Sequence, residues 1–172
     1  MPGLINVTRL LCGVETSGDG LRYGDSGSLR DAPRAQARVH HRPVVVWNTT
    51  RRCNLHCVHC YASAQDVEFE GELTTQEGKA LVDDLASYGV PVLLFSGGEP
   101  LMRHDLFEMV AYATSKGLRA VLSTNGTLIT PEAAAKLKAA GTHYVGVSID
   151  GVEATNDRFR GKKGAFRMAL QG

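Results

Sequence analysis

From Pro43 onward, short apolar runs alternate with longer stretches in which apolar residues recur every three or four positions. The first run, "VVVWN", is β-branched and continuous, which predicts a strand buried on both faces. "TTQEGKALVDDLASYG" predicts a helix: Thr74 and Glu77 form a capping box, and Gly89 is placed to end it. "VPVLLFSGG" predicts a second buried strand. "HDLFEMVAYATSKG" predicts a helix capped by Asp105, with Lys116 in its last turn and Gly117 after it. "LRAVLSTNG" is a third strand, and "TPEAAAKLKAAG" a helix with Thr130 at the cap, Pro131 at its first position and Gly141 past its end. "HYVGVSIDG" reads as a fourth strand, and "GAFRMALQG" opens a fourth helix.

Strands that alternate with helices predict parallel βαβ units and an α/β fold. Each strand ends in small or polar residues, "WNTTRRC", "SGGEP", "STNG" and "SIDG". Active sites of parallel α/β folds assemble at that end. Four units are too few to close a barrel, and the chain stops at or just after the fourth helix, so it reads as a fragment. Residues 1–43 differ: a short apolar piece, a Gly-, Asp- and Ser-rich stretch and a run of cations show no sustained period. They read as an N-terminal arm and linker, with residues 44–172 as an incomplete core domain.

Composition narrows the classes. A formal net charge of +1 gives no reason to invoke nucleic acid or an anionic membrane. No apolar run approaches the roughly 20 residues that span a bilayer, and the N-terminus does not read as a secretory signal. Three of the four cysteines sit in one cluster, which argues against a disulfide framework and for a reducing cytoplasm. Cys12 reads as a small buried residue.

The cluster is "CNLHCVHC": Cys53, Cys57 and Cys60, spaced C-x3-C-x2-C. Structural zinc normally takes four ligands from two separated pairs, so His56 or His59 would have to complete the set on one short loop. Three cysteines filling a core fit poorly with a polar, Arg-flanked loop. An iron–sulfur cube takes thiolates at its irons and tolerates close spacing, and three protein ligands leave one iron open. An open position on a metal is where chemistry happens.

With "SGGEP" at the next strand end, this motif resembles the radical S-adenosylmethionine (SAM) superfamily. The resemblance implies a parallel (β/α) partial barrel, of which the first four βα units are present. It also implies a 4Fe-4S cluster whose open iron is chelated by the amino and carboxylate groups of S-adenosyl-L-methionine. One-electron reduction then gives methionine and a deoxyadenosyl radical that abstracts hydrogen from substrate. Carried over position by position, Cys53, Cys57 and Cys60 are the cluster ligands, and His59 lies beside the adenine. Gly97, Gly98, Glu99 and Pro100 match the motif that receives the SAM ammonium. Ser123, Asn125, Ser148 and Asp150 lie where the family contacts ribose and methionine, and Arg160 resembles an arginine that pairs the SAM carboxylate. Helix capping or a turn is the structural alternative for the strand-end polar residues.

"VTRLLCGVETSGDGLRYG" followed by "RPVVVWNTTRRCNLHCVHCY" is similar to enzymes of the alternative, siroheme-dependent haem pathway and the related haem d1 pathway. That implies a tetrapyrrole substrate, with removal of acetate side chains from didecarboxysiroheme to give iron-coproporphyrin III. It also implies an electron donor such as flavodoxin or ferredoxin, and cysteines for a second Fe-S cluster in a C-terminal region not present here. This chain alone is expected to be inactive. A haem d1 pathway enzyme, a peptide-modifying relative and a zinc-binding structural module are the alternatives. Arg30, Arg34, Arg38 and Arg42 are candidates to face tetrapyrrole carboxylates.

Overall fold

A computed structural model of the chain describes residues 42–172. Cys12, Arg30, Arg34, Arg38 and nearly all of the expected arm lie outside the described residues. The described part is built on four parallel strands: β1 (Val45–Asn48), β2 (Val92–Ser96), β3 (Arg119–Thr124) and β4 (Tyr144–Val147). Their order in the sheet is their order in the chain. Helix α1 (Thr75–Tyr88) follows β1, α2 (Leu106–Ser115) follows β2, and α3 (Pro131–Ala139) follows β3. A single-turn 3-10 segment, Pro100–Met102, precedes α2. The parallel sheet with alternating helices is the expected α/β partial barrel.

One face of the sheet carries the core. Trp47, Leu93, Phe95, Ala120 and Leu122 alternate along their strands and bury against Val82, Leu106, Met109, Val110, Ala113 and Leu137 of the helices. Register aligns these layers, with Leu93 opposite Ala120 and Leu122 opposite Val145. The close fit explains Gly78 in the middle of α1, because a Cβ there would meet Trp47 Cη2 at 2.8 Å. The opposite face is less covered. Val46, expected to be buried on both sides of its strand, is 55% exposed. It lies on an edge strand, and the helices cover only the Trp47 side.

The helix ends follow local chemistry. Thr74 accepts from Glu77 N, and Glu77 reaches back to the Thr74 backbone, completing the capping box. Thr130 accepts from Ala133 N. Asp105 departs from expectation, since it sits at the N-cap of α2 but makes no capping bond. Arg103 and Thr75 take its carboxylate instead, at 2.6 Å each. The end of the chain also differs. The fourth helical unit is two short helices, α4 (Ala154–Arg160) and α5 (Ala165–Gln171), with a left-handed turn at Gly161 between them. The first spans "ATNDRFR", where no helix is predicted. Among the described residues, no helix is long and apolar enough to cross a membrane.

Candidate active site

All four strands deliver residues to one cavity of about 520 Å³ at their C-terminal ends. Cys53, Cys57, Cys60 and His59 come from the loop after β1; Ser96, Gly97 and Gly98 from β2. Ser123 and Asn125 come from β3, and Ser148, Asp150 and Arg160 from β4 and α4. Of the residues expected to bind SAM, only Glu99 and Pro100 are absent from the wall, because both are buried behind it.

The cysteine loop is fastened on two sides. Cys53 N donates to Gln65 O at 3.0 Å, and Gln65 N returns to Arg51 O at 3.3 Å. Farther along, His56 N donates to Arg160 O and Val58 N to Phe159 O, at 3.1 and 2.9 Å. Its apolar anchor is small: Cys53 and Leu55 bury against Ala64 and Ala165. Each sulfur faces at least one N–H donor. Asn125 Nδ2 points at Cys53 Sγ at 3.9 Å, Arg160 Nη1 at Cys57 Sγ at 3.8 Å, and Ala64 N at Cys60 Sγ at 3.4 Å. Such donors stabilise thiolates and tune whatever the thiolates bind. Burial pushes the Cys53 thiol above its ordinary value, so its thiolate calls for a cationic partner.

The donor set fits the group expected there. Among the described residues, no three His, Cys, Asp or Glu side chains converge where one metal ion would sit. The three sulfurs instead share the wall of a cavity with room beyond them, an arrangement suited to a cluster of several irons with separate thiolates. The single-ion zinc reading also loses its fourth ligand. His56 is exposed, while His59 packs on Phe159 and lies 3.4 Å from Asp150.

Gly97 and Gly98 also pack tightly against the root of the cysteine loop. A Cβ on Gly97 would fall on Thr50 O, and one on Gly98 on Arg52 O. Gly98 N donates to Thr50 O at 2.7 Å and Glu99 N to Arg52 O at 2.8 Å. The two glycines therefore weld the root of the cysteine loop to the end of β2. Gly97 adds a φ of +138°, which side chains rarely adopt.

Glu99 extends the weld to β3. It is fully buried, and its carboxylate accepts from Thr124 Oγ1 at 2.7 Å, Asn125 N at 2.8 Å and Leu101 N at 3.1 Å. Burial pushes its pKa up, against those hydrogen bonds. Asn125 then reaches Asn54 Oδ1 at 2.9 Å, closing the network back on the cysteine loop. Its own Oδ1 accepts from Thr127 N at 2.9 Å, the turn role that is the alternative for strand-end residues. At β4, Arg160 Nη2 pairs Asp150 at 2.8 Å, and Arg160 Nε is buried with no hydrogen-bond partner.

Two braces have no signal in the sequence. Asn54 sits inside the cysteine motif at a position where no donor or acceptor is demanded. Arg103 is buried and donates to Thr49 O and Leu73 O at 3.0 and 2.8 Å, holding the start of the loop from behind.

A family model described as the Radical SAM superfamily matches residues 47–172. An Fe-coproporphyrin III synthase of Methanosarcina barkeri is 60% identical over 98% of this chain, which spans 42% of that protein's length. An AdoMet-dependent heme synthase of Nitratidesulfovibrio vulgaris is 49% identical over 75% of this chain and 35% of its own length. The fold is shared with the solved structure of native anSMEcpe with bound AdoMet, at a TM-score of 0.60 and 24% identity, covering 74% of this chain and 38% of that one. The strand-end cavity with its three cysteines and the family match across its whole frame agree: the chain belongs to the radical SAM superfamily.

Proposed function

We propose that Cys53, Cys57 and Cys60 hold a 4Fe-4S cluster with S-adenosylmethionine beside it. We further propose that the intact protein removes two acetate side chains from didecarboxysiroheme, giving iron-coproporphyrin III in haem biosynthesis. The observation that carries the chemistry is the single cavity in which three sulfurs, each with an N–H donor, meet the ends of four strands. The substrate rests on the 60% identity to a protein named for iron-coproporphyrin III synthesis. Bound together, cluster and SAM would supply one-electron cleavage of the sulfonium and hydrogen abstraction from substrate.

The residues of this chain supply position and polarity. Gly97 and Gly98 present backbone to the SAM ammonium, and Glu99 with Pro100 sustains that surface from behind. Ser123, Asn125 and Ser148 offer polar groups to ribose and methionine. Arg160, held by Asp150, has an unmet Nε–H for a carboxylate. His59 flanks the adenine, packed at a tilt against Phe159. The remaining proposals are residues 1–43 as an arm, a reducing cytoplasm, and flavodoxin or ferredoxin as electron source. A second Fe-S cluster would have to come from residues beyond this chain.

The test is an anaerobic incubation of the intact protein with SAM, a strong reductant and didecarboxysiroheme, followed by mass spectrometry. Loss of two acetate groups is the expected result. A cluster-loaded protein that cleaves SAM but leaves this tetrapyrrole unchanged would remove the substrate, and a colourless protein without iron would remove the chemistry.

A further inference from the structure

The two flanks of the cysteine loop carry opposite charge. On one side, residues 66–72 read "DVEFEGE", four acids and no base. On the other, residues 154–171 hold Arg158, Arg160, Lys162, Lys163 and Arg167 against one acid, Asp157. Two of these six charges are turned inward. Asp157 is occupied by Gly164 N and Phe166 N at 2.6 and 2.9 Å, and Arg160 by Asp150. Arg158, Lys162, Lys163 and Arg167 are exposed; Arg167 makes a loose 3.8 Å pair with Glu153, and Arg158 lies 5.9 Å from the Phe159 ring.

This basic segment lies directly on the cysteine loop. The backbone of His56 and Val58 bonds to Arg160 and Phe159, and a Cβ on Gly161 would fall on His56 O. Lys162 and Lys163 follow Gly161 at once. Between Cys57 and Cys60, Val58 is 71% exposed, an apolar tip over half-buried thiols. An apolar centre beside a charged rim, a few bonds from a redox group, is the anatomy of a small transient electron-transfer contact.

We propose that Val58 with Arg158, Lys162, Lys163 and Arg167 is the docking surface for an acidic one-electron carrier protein. The proposal rests on the cluster reading above. One electron leaves the carrier, which is oxidised by one equivalent, and arrives at the group on Cys53, Cys57 and Cys60, which is reduced by one. Asp66 is paired with Arg52, and Glu72 is held by Thr50 and the Arg51 amide, so Glu68 and Glu70 are the acids of that flank that repel the same partner and fix its orientation.

The experiment uses the intact, anaerobically reconstituted protein and an acidic flavodoxin as probe. Affinity is measured between about 50 and 300 mM salt, and the rate of cluster reduction by reduced flavodoxin is compared with that by dithionite. Lys162→Glu with Lys163→Glu should weaken flavodoxin binding about tenfold and flatten its salt dependence, with dithionite reduction unchanged. Lys162→Gln with Lys163→Gln should fall between, which guards against a folding defect in the reversal. Glu68→Lys with Glu70→Lys should leave binding unchanged or tighten it. Equal flavodoxin affinity in the reversed and native proteins overturns the proposal, as does binding to anionic phosphatidylserine vesicles without binding to flavodoxin. A protein that takes up no cluster would instead refute the reading of the site, since the docking comparison is made only on protein with iron–sulfur absorption.

Discussion

The sheet core and the cysteine loop are held by different forces. Around Leu93, Phe95 and Leu122 the chain buries aliphatic and aromatic side chains under three helices, and almost no polar group is involved. The loop buries Cys53, Leu55 and Ala64 against Ala165 of α5, and takes its shape from hydrogen bonds to Gly98, Glu99, Asn125 and the end of α4. Apolar burial is tolerant of small shifts, whereas a buried polar network is stabilising only while every member is paired. A site that must hold reacting atoms in register is therefore fastened by the second kind of contact and carried on the first.

The sharpest test of that division is at the cysteines. Cys53→Ala, Cys57→Ala or Cys60→Ala should each abolish bound iron and sulfide while the sheet keeps its circular dichroism, because none of the three belongs to the main core. Iron near the native level in any of them would break the comparison. Next come paired lesions in the two regions. Leu93→Ala should cost about 3 kcal/mol by denaturant unfolding yet leave iron per folded molecule unchanged. Glu99→Ala strands Thr124 Oγ1, Asn125 N and Leu101 N, and should cost about 3 kcal/mol and also lower iron retention. Equal iron loss from both would mean that the regions are not separable. Gly98→Ala, whose Cβ meets backbone rather than a movable side chain, should cost about 1–3 kcal/mol and appear first as weakened cluster binding.

Acid should distinguish two buried carboxyls. Burial raises the Asp105 pKa, but the Arg103 and Thr75 hydrogen bonds outweigh it and leave it below its ordinary 3.8. Its contribution is present above that value and disappears as pH falls through the lower folded one. Glu99 runs the other way: its raised pKa gives stability that is present below 4.5 and is lost as pH climbs through the folded value. Melting temperature against pH should therefore lose its steepest acid limb in Asp105→Asn, and become flatter above pH 4.5 in Glu99→Gln. No change of slope in either would refute the opposed signs. The smallest effect belongs to Thr74→Ala, which removes a cap far from the site and should cost about 1 kcal/mol by thermal unfolding, with iron retained.

What could be read in advance was local. The capping box at Thr74 and Glu77, the Thr130 cap and the left-handed Gly89 each depend on residues within a turn of one another. The three cysteines and the small polar residues at each strand end converge as their spacing and positions suggest. The misses are long-range. Asp105 looks like a helix cap until Thr75, 30 residues earlier, and Arg103 claim its oxygens. Glu99 lies in the stretch matched to the SAM ammonium, and the bonds of its oxygens to Thr124 and Asn125 of the next strand are contacts that no local spacing announces. Val46 resembles a core residue because an apolar run does not say whether its strand is central or at an edge.

The weld from Thr50 through Glu99 to Asn125 passes through no cysteine sulfur. Loss of the cluster to oxygen would therefore leave the three strand ends fastened together, with an intact receptacle in place of a collapsed one. Damage and unfolding would then be separate events, and reinsertion of iron and sulfide should suffice to restore the site. Amide hydrogen exchange follows the same logic: the Glu99 and Asn125 amides should stay protected in apoprotein, while those of His56 and Val58 on the outer side of the loop open first.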